Sequence, residues 1–519
     1  MRRLIGLFVL CLSLAAAAAQ HESGNDGNKG NKNHKGNKAA QSKPKPENSV
    51  TEHRVTIDGE RIDYEATAGT LIMKNDKGKP IARFGYTAYT KQGVDDKSRR
   101  PITFAYNGGP GSSSIWLHMG ALGPRRVETE NADFTPPPPY DIVDNASSII
   151  DVTDLVMLDP VGTGYSKPIG KGKGKDFWGV DQDIESVANF IERYITDHGR
   201  WNSPKFLLGE SYGTMRSAGV VRRLQSQENM AFNGVILVSS FLDARTVVEL
   251  TGNDLAHVLY LPTFASTAWK HDLIEDKPQD LEAFLDRVEA FAMNEYASAL
   301  MQGARLSDEK RGEVIATLSE YTGLSEDYLD KADLRVGHQQ FAKELLRDQH
   351  QTVGRLDSRF TGVSFNLLAE TTQYDPMAAA IGPAFTAAFQ QYYNQELQFS
   401  PEREYVVTAE LFRKWDFKHK TPGMPFQIAS LPNTAPDLAR AMGENPNLEV
   451  LVLNGYFDLA TPYLATEYTV DHLDLEPGQR ENIHMKYYDS GHMMYLSEES
   501  LKQFKSDVAG FIESTDRLE

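Results

Sequence analysis

A serine stands between two glycines at Gly209-Glu210-Ser211-Tyr212-Gly213, in the spacing G-x-S-x-G. The apolar run 206–208 comes just before it and a helix-compatible run, 215–224, just after. A strand that turns sharply into a helix needs small residues around the turn, because a bulky side chain would clash with the tight backbone. The residue at the apex is held out from the sheet edge, and a serine there presents its hydroxyl as a nucleophile. Taken alone, the pentapeptide also reads as a Gly-rich turn with a solvated serine, so a base, an acid and an oxyanion hole have to come from elsewhere in the chain.

Of the 13 histidines, His492 has the placement a base needs. It follows the strand-like run 483–488 and the turn Asp489-Ser490-Gly491, and loops at the carboxyl ends of strands are where sites collect in open α/β sheets. Its imidazole would take the Ser211 proton and return it to the leaving group. Asp458, just past the apolar run 450–453 and Asn454-Gly455, is the expected acid, with a helix N-cap or turn former as the plainer reading of that residue. Asp489 is the rival acid, but it lies too near His492 to be positioned independently. The order Ser211, Asp458, His492 is nucleophile, acid, histidine. Attack on an ester or amide also develops an oxyanion, which two backbone N–H groups should meet. One is expected from Tyr212, after the nucleophile. The other is expected from the loop Asn107-Gly108-Gly109-Pro110-Gly111, which follows the apolar run 102–106. A phosphate-cradling loop would need G-x-x-x-x-G-K-[ST] or G-x-G-x-x-G, and this stretch has neither.

These residues need a scaffold. The short apolar runs 102–106, 155–158, 206–208, 235–238 and 450–453 suit strands buried on both faces of a mostly parallel sheet. Helical patterns separate them, most clearly at 180–195, where Ile184, Val187, Ala188, Ile191 and Ile195 share a face. The expected fold is α/β with right-handed crossovers. Residues 50–241 form the first part of the core, beginning with antiparallel hairpins at 52–89. Residues 242–445, with polar helix-like runs at 281–301, 308–321 and 339–348, form a helical insertion or cap. Residues 446–519 complete the core and end in an amphipathic helix capped by Ser497, with Leu501, Phe504, Val508, Phe511 and Ile512 buried.

The chain opens with Arg2 and Arg3, an apolar run at 4–14 and small residues at 15–19, which together read as an export signal over residues 1–19. The apolar run is too short for a transmembrane anchor. The single cysteine, Cys11, lies inside it, so cleavage leaves a chain without disulfides, thiol nucleophile or Cys-based metal site. No cofactor and no metal are expected. Residues 20–49 are low in complexity, with six lysines against three acids between positions 21 and 49, and read as a disordered linker. The net charge of −18 argues against nucleic acid and anionic membranes as partners.

Four stretches taken in order carry a resemblance. Asn107-Gly108-Gly109-Pro110-Gly111-Ser112-Ser113-Ser114, Asp159-Pro160-Val161-Gly162-Thr163-Gly164-Tyr165-Ser166, Gly209-Glu210-Ser211-Tyr212-Gly213 and Gly491-His492-Met493 together resemble the serine carboxypeptidase family. The resemblance covers roughly residues 100–240 and 448 to the end. It implies an α/β-hydrolase that removes C-terminal residues from peptides with a free C-terminus, while the bacterial-looking export signal and the lack of disulfides favour the periplasm over release outside the cell. Residue by residue, it implies a triad of Ser211, Asp458 and His492 and oxyanion amides at Gly109 and Tyr212. It also implies that Asn107 and Glu210 hydrogen-bond the substrate's terminal carboxylate, and that Met493 lines the pocket for the leaving residue. The chain departs from the family in having Ser112 where many members have a disulfide cysteine. It also has Ala121, two residues before Gly123-Pro124, where the family pairs a second glutamate with the one before the nucleophile. Without that partner the pKa of Glu210 is expected to be raised less. An esterase or acyltransferase on the same scaffold is the alternative function, and a catalytically silent binding protein a further one.

Overall fold

The computed structural model describes residues 44–424 and 431–518. The expected export signal, and the linker as far as residue 43, lie outside the described residues. The last residues of the expected linker are built into the fold. β1 starts at Asn48, Glu47 accepts the Thr70 amide at 2.8 Å through its carbonyl, and its carboxylate pairs with Arg83 and Arg403.

Strands β1 (Asn48–Ile57), β2 (Glu60–Lys74) and β3 (Pro80–Lys91) make an antiparallel meander. Its first turn is Asp58-Gly59, with φ of 49° and 82°, the left-handed pair that a two-residue hairpin requires. Six strands follow: β4 (Ile102–Tyr106), β5 (Asp154–Leu158), β6 (Lys205–Glu210), β7 (Gly234–Val238), β8 (Glu449–Gly455) and β9 (Ile483–Tyr488). They join the meander in the order β1-β2-β3-β5-β4-β6-β7-β8-β9, and all contacts from β5 to β9 are parallel. Every residue of β4 to β7 is buried, so their middle residues are mostly apolar and do not alternate with polar ones.

Helices α1 (Val180–His198) and α2 (Tyr212–Glu228) belong to the apolar cluster on one face of the sheet. The long insertion supplies α3 (Leu255–Lys270), α4 (Leu281–Phe291), α5 (Asp308–Thr322), α6 (Pro376–Gln395) and α7 (Ala435–Glu444). Helices α8 (Tyr463–Asp471) and α9 (Glu498–Thr515) follow the return to the sheet. Residues 242–445 do not pack as one body. Helices α3 to α5 build a separate cluster that reaches the core at Leu459 and Tyr463. Helix α6 joins α9 on the other face of the sheet, and α7 lies beside α2. The insertion also holds a small antiparallel pair, Gln351–Val353 with Thr361–Val363, that its polar helical texture did not announce.

The consequence for chemistry lies in the register. Tyr106 pairs with Gly209, and Glu210 with Val238. Asn107, Ser211, Asp458 and His492 therefore all follow strand ends on one edge of the sheet.

Candidate active site

Ser211 sits between β6 and α2 with φ 60° and ψ −129°, a conformation that costs a non-glycine residue strain. Two observations explain how it is held. The Ser211 N–H donates to Val238 O at 2.9 Å, and its carbonyl accepts from Thr214 N at 2.8 Å. The flanking glycine is sterically required, since a Cβ on Gly209 would lie 2.3 Å from Gly213 O.

The loop after β4 is pressed against this elbow. A Cβ on Gly108 would lie 2.5 Å from Tyr212 N and 2.7 Å from Glu210 O. Only glycine lets Gly108 come so near the first turn of α2. Tyr212 opens α2, where an N–H has no acceptor within the helix and is free for a ligand. Beneath the loop, the fully buried Arg216 pairs with Asp183 at 2.7 Å and donates to Asn107 O at 2.9 Å.

His492 and Asp458 form a buried pair, with Nδ1 to Oδ2 at 2.7 Å. The carboxylate has little freedom: Oδ1 accepts the amides of Ala460 and Thr461 at 2.8 and 3.0 Å, and Oδ2 accepts the Thr461 hydroxyl at 2.6 Å. Asp489, the rival acid, turns its carbonyl to Arg359, which donates to it at 2.8 Å. Burial opposes the charge on His492, but the carboxylates of Asp458 and Glu210 outweigh it and raise its pKa above the usual value.

Glu210 is 3% exposed. Asn107 Nδ2 donates to its Oε1 at 2.6 Å, and the Tyr495 hydroxyl donates to its Oε2 at 2.7 Å. Burial pushes its pKa up to about 7, against the opposing pull of His492, Tyr495 and Asn107. Burial is the largest cause, and the Asp458 charge adds to it. Ala121 is buried nearby, and the neighbouring Gly120 backs directly onto the Tyr495 ring, 2.6 Å from where a Cβ would sit. Tyrosine therefore occupies the flank of Glu210. Met493, expected to line a pocket, is 4% exposed and belongs to the apolar cluster that includes α6 and α9.

A further group of residues was not foreseen. A stretch of the insertion, residues 356–359, runs as a strap across both the Asp458 and His492 loops. Leu356 O accepts His492 N at 2.6 Å, and Ser358 N donates to Phe457 O at 2.9 Å. The buried Arg359 pairs with Asp357 at 2.7 Å, and also donates to Asp489 O at 2.8 Å and Ser490 Oγ at 2.9 Å. Gly491 N donates to Asp357 Oδ2 at 3.3 Å. Among the described residues, no group of three or more His, Cys, Asp or Glu is placed to hold a metal ion.

The family model for serine carboxypeptidases matches residues 66–519. The chain belongs to the serine carboxypeptidase family. Its structure is an α/β-hydrolase, and a solved relative has the same fold: the crystal structure of Kex1(delta)p, a prohormone-processing carboxypeptidase from Saccharomyces cerevisiae. That match has a TM-score of 0.54 at 14% identity and covers 87% of this chain and 91% of that one. The pheromone-processing carboxypeptidase KEX1 of Saccharomyces cerevisiae is 32% identical over 131 residues, 24% of this chain and 17% of its own length. Serine carboxypeptidase-like 36 of Arabidopsis thaliana is 24% identical over 204 residues, 38% of this chain and 39% of its own. The matched part thus spans well under half of either curated relative. Among the described residues of this family member, no helix is long and apolar enough to cross a membrane.

Proposed function

We propose that this family member is an exported serine-type carboxypeptidase. It removes C-terminal residues from peptides through an acyl-enzyme on Ser211. His492 Nε2 takes the Ser211 proton as Oγ attacks the scissile carbonyl, and Asp458 fixes the imidazole so that Nε2 faces the serine. The N–H groups of Gly109 and Tyr212 receive the oxyanion. The imidazolium then protonates the departing amine, and water repeats the sequence to release the acid.

The observation that carries the exopeptidase reading is the buried carboxyl of Glu210, held beside Ser211 by Asn107 and Tyr495. Protonated, it can donate to a substrate carboxylate, while the Asn107 amide offers a second donor. An esterase or acyltransferase remains the second reading, favoured by the single observation that Ala121 replaces a second acid.

Paired substrates test this. Blocked dipeptides with a free C-terminus should be cleaved well at pH 6, and their C-terminal amides about 10-fold or more slowly, the worth of a charge-assisted hydrogen bond. Equal rates would remove the carboxylate-recognition reading. Ser211→Ala should lower kcat by about 10⁶-fold with the thermal midpoint nearly unchanged. Unchanged turnover would remove the mechanism itself.

A further inference from the structure

A cavity of about 910 Å³ lies within the inserted region, lined by residues between Glu249 and Ala378. Its walls come from α3, the turn before residue 340 and the start of α6, with Arg355 and Leu356 on the side toward the sheet. Leu356 links it to the chemistry, because its carbonyl holds the His492 amide at 2.6 Å. Asn107, Glu210 and Tyr495 do not line this cavity, and neither do Ser211 and His492, so a substrate group reaching it would extend past the His492 loop and away from the terminal carboxylate.

Arg355 is the notable group in the wall. It is half-buried, and its guanidinium makes no hydrogen bond or ion pair to any described residue; its backbone N–H is what reaches Asp375, at 3.2 Å. The acids around the cavity are already committed. The Asp375 carboxylate accepts four backbone amides, those of Arg355, Leu356, Met377 and Ala378. Glu249 is held by His338 through both its amide and its ring, and Asp254 by Arg335 at 2.8 Å. Asp333 and Glu370 stand at the exposed rim. Arg355 is thus a cavity-lining cation near both the Asp375 carboxylate and His492, with no hydrogen bond or ion pair made by its guanidinium. It is close enough that its charge opposes protonation of that ring. A guanidinium's planar fork matches one ligand chemistry best, a carboxylate bound through two parallel hydrogen bonds.

We propose that Arg355 forms an anion subsite on the acyl side of the scissile bond and selects substrates carrying an aspartate or glutamate at one of the two residues preceding it. This deepens the peptidase reading and rests on it for the substrate class. The insertion then does more than cover the site, because it supplies the specificity of one side.

The test compares kcat/KM at pH 6 for blocked Glu-Leu against Gln-Leu, and for blocked Glu-Ala-Leu against Gln-Ala-Leu. The wild-type enzyme should favour glutamate by about tenfold at one of the two positions. In R355Q the ratio should fall to near one, and in R355K it should lie between. Because each ratio is taken within one variant, a general loss of activity does not affect it. A wild-type ratio near one at both positions, or a preference that survives in R355Q, overturns the proposal. Should no peptide with a free C-terminus be cleaved, the peptidase reading fails by itself. The same ratio measured on aryl esters of N-acyl glutamate and N-acyl glutamine then decides the subsite separately, with the same two outcomes.

Discussion

Removing the Tyr495 hydroxyl isolates how Glu210 keeps its proton. The phenol and the Asn107 amide both donate to the carboxylate, so both favour its ionised form, while burial favours the neutral form and prevails. Recognition of a substrate carboxylate needs the neutral form. For peptides with a free C-terminus, kcat/KM should therefore fall as pH rises through about 7. On the acid side it should fall as His492 becomes protonated. The two groups are linked, because protonating Glu210 removes a negative charge that supports the imidazolium. Ester and amide substrates without a free carboxylate should lack the alkaline fall. Tyr495→Phe deletes a donor to the ionised form, so the alkaline limb should move upward by about one pH unit. Glu210→Gln should abolish that limb, since an amide donates at every pH. Profiles of kcat/KM from pH 4 to 9 for the three enzymes read all of this, and a downward shift in Tyr495→Phe would contradict the role given to the hydroxyl.

The strap at residues 356–359 makes its prediction at the level of an element. One buried guanidinium joins the insertion to the carbonyl and hydroxyl of the His492 loop, while Ser358 ties in the Asp458 loop. Arg359→Lys keeps the charge beside Asp357 but cannot make all the contacts of the fork. We expect kcat to fall about tenfold with KM within about threefold, because the base is displaced and substrate contacts are not. Arg359→Ala should instead destabilise the fold by about 3–5 kcal/mol, leaving Asp357 buried and unpaired. Kinetics and thermal melts on the two variants separate these effects, and a lysine variant with wild-type kcat would confine the strap to a structural role. The same strap marks where reading the sequence stops. The parallel strands were legible because burial on both faces writes them as apolar runs, and α9 because Ser497 caps it before a regular stripe. The elbow was legible because glycine spacing there is a steric necessity. Helices α3 and α6 were not read because each carries an internal proline, at Pro262 and Pro383, which marks a break in a sequence but is tolerated here within packed helices. Tyr495 and Arg359 were missed for a different reason. Their partners lie 285 and more than 100 residues away, and nothing local to an aromatic or an arginine specifies such a contact.

Across the whole molecule, several buried groups bind protons more tightly in the folded state than when unfolded, and their effects add. Burial raises Glu210 and Glu467 to about 7. His419 is raised to about 9: burial opposes its charge, but its two nitrogens are clasped by Asp181 at 2.6 Å and Asp437 at 2.7 Å, which joins the chain before α7 to α1 and to α7 itself. For a raised group, the stabilisation is complete below the unfolded pKa and is lost as pH climbs through the folded one. For the two glutamates that loss runs from about 4.5 to about 7, and for His419 it runs from 6.5 to about 9. His118, held neutral by burial to about 3, and His53, His198 and His271, each lowered chiefly by burial, act in the opposite direction as pH falls through about 6.5. At these three groups the folded state holds more protons than the unfolded chain near neutrality, so their contribution to stability falls as pH rises. Melts from pH 6 to 8 should show a midpoint that falls steadily. Replacing His419 by glutamine should lower the midpoint most at pH 6 and progressively less toward pH 9, because only the charged ring clasps both carboxylates. A midpoint that rises from pH 6 to 8, or a His419→Gln penalty independent of pH, would show that these buried protons do not govern the stability of the fold.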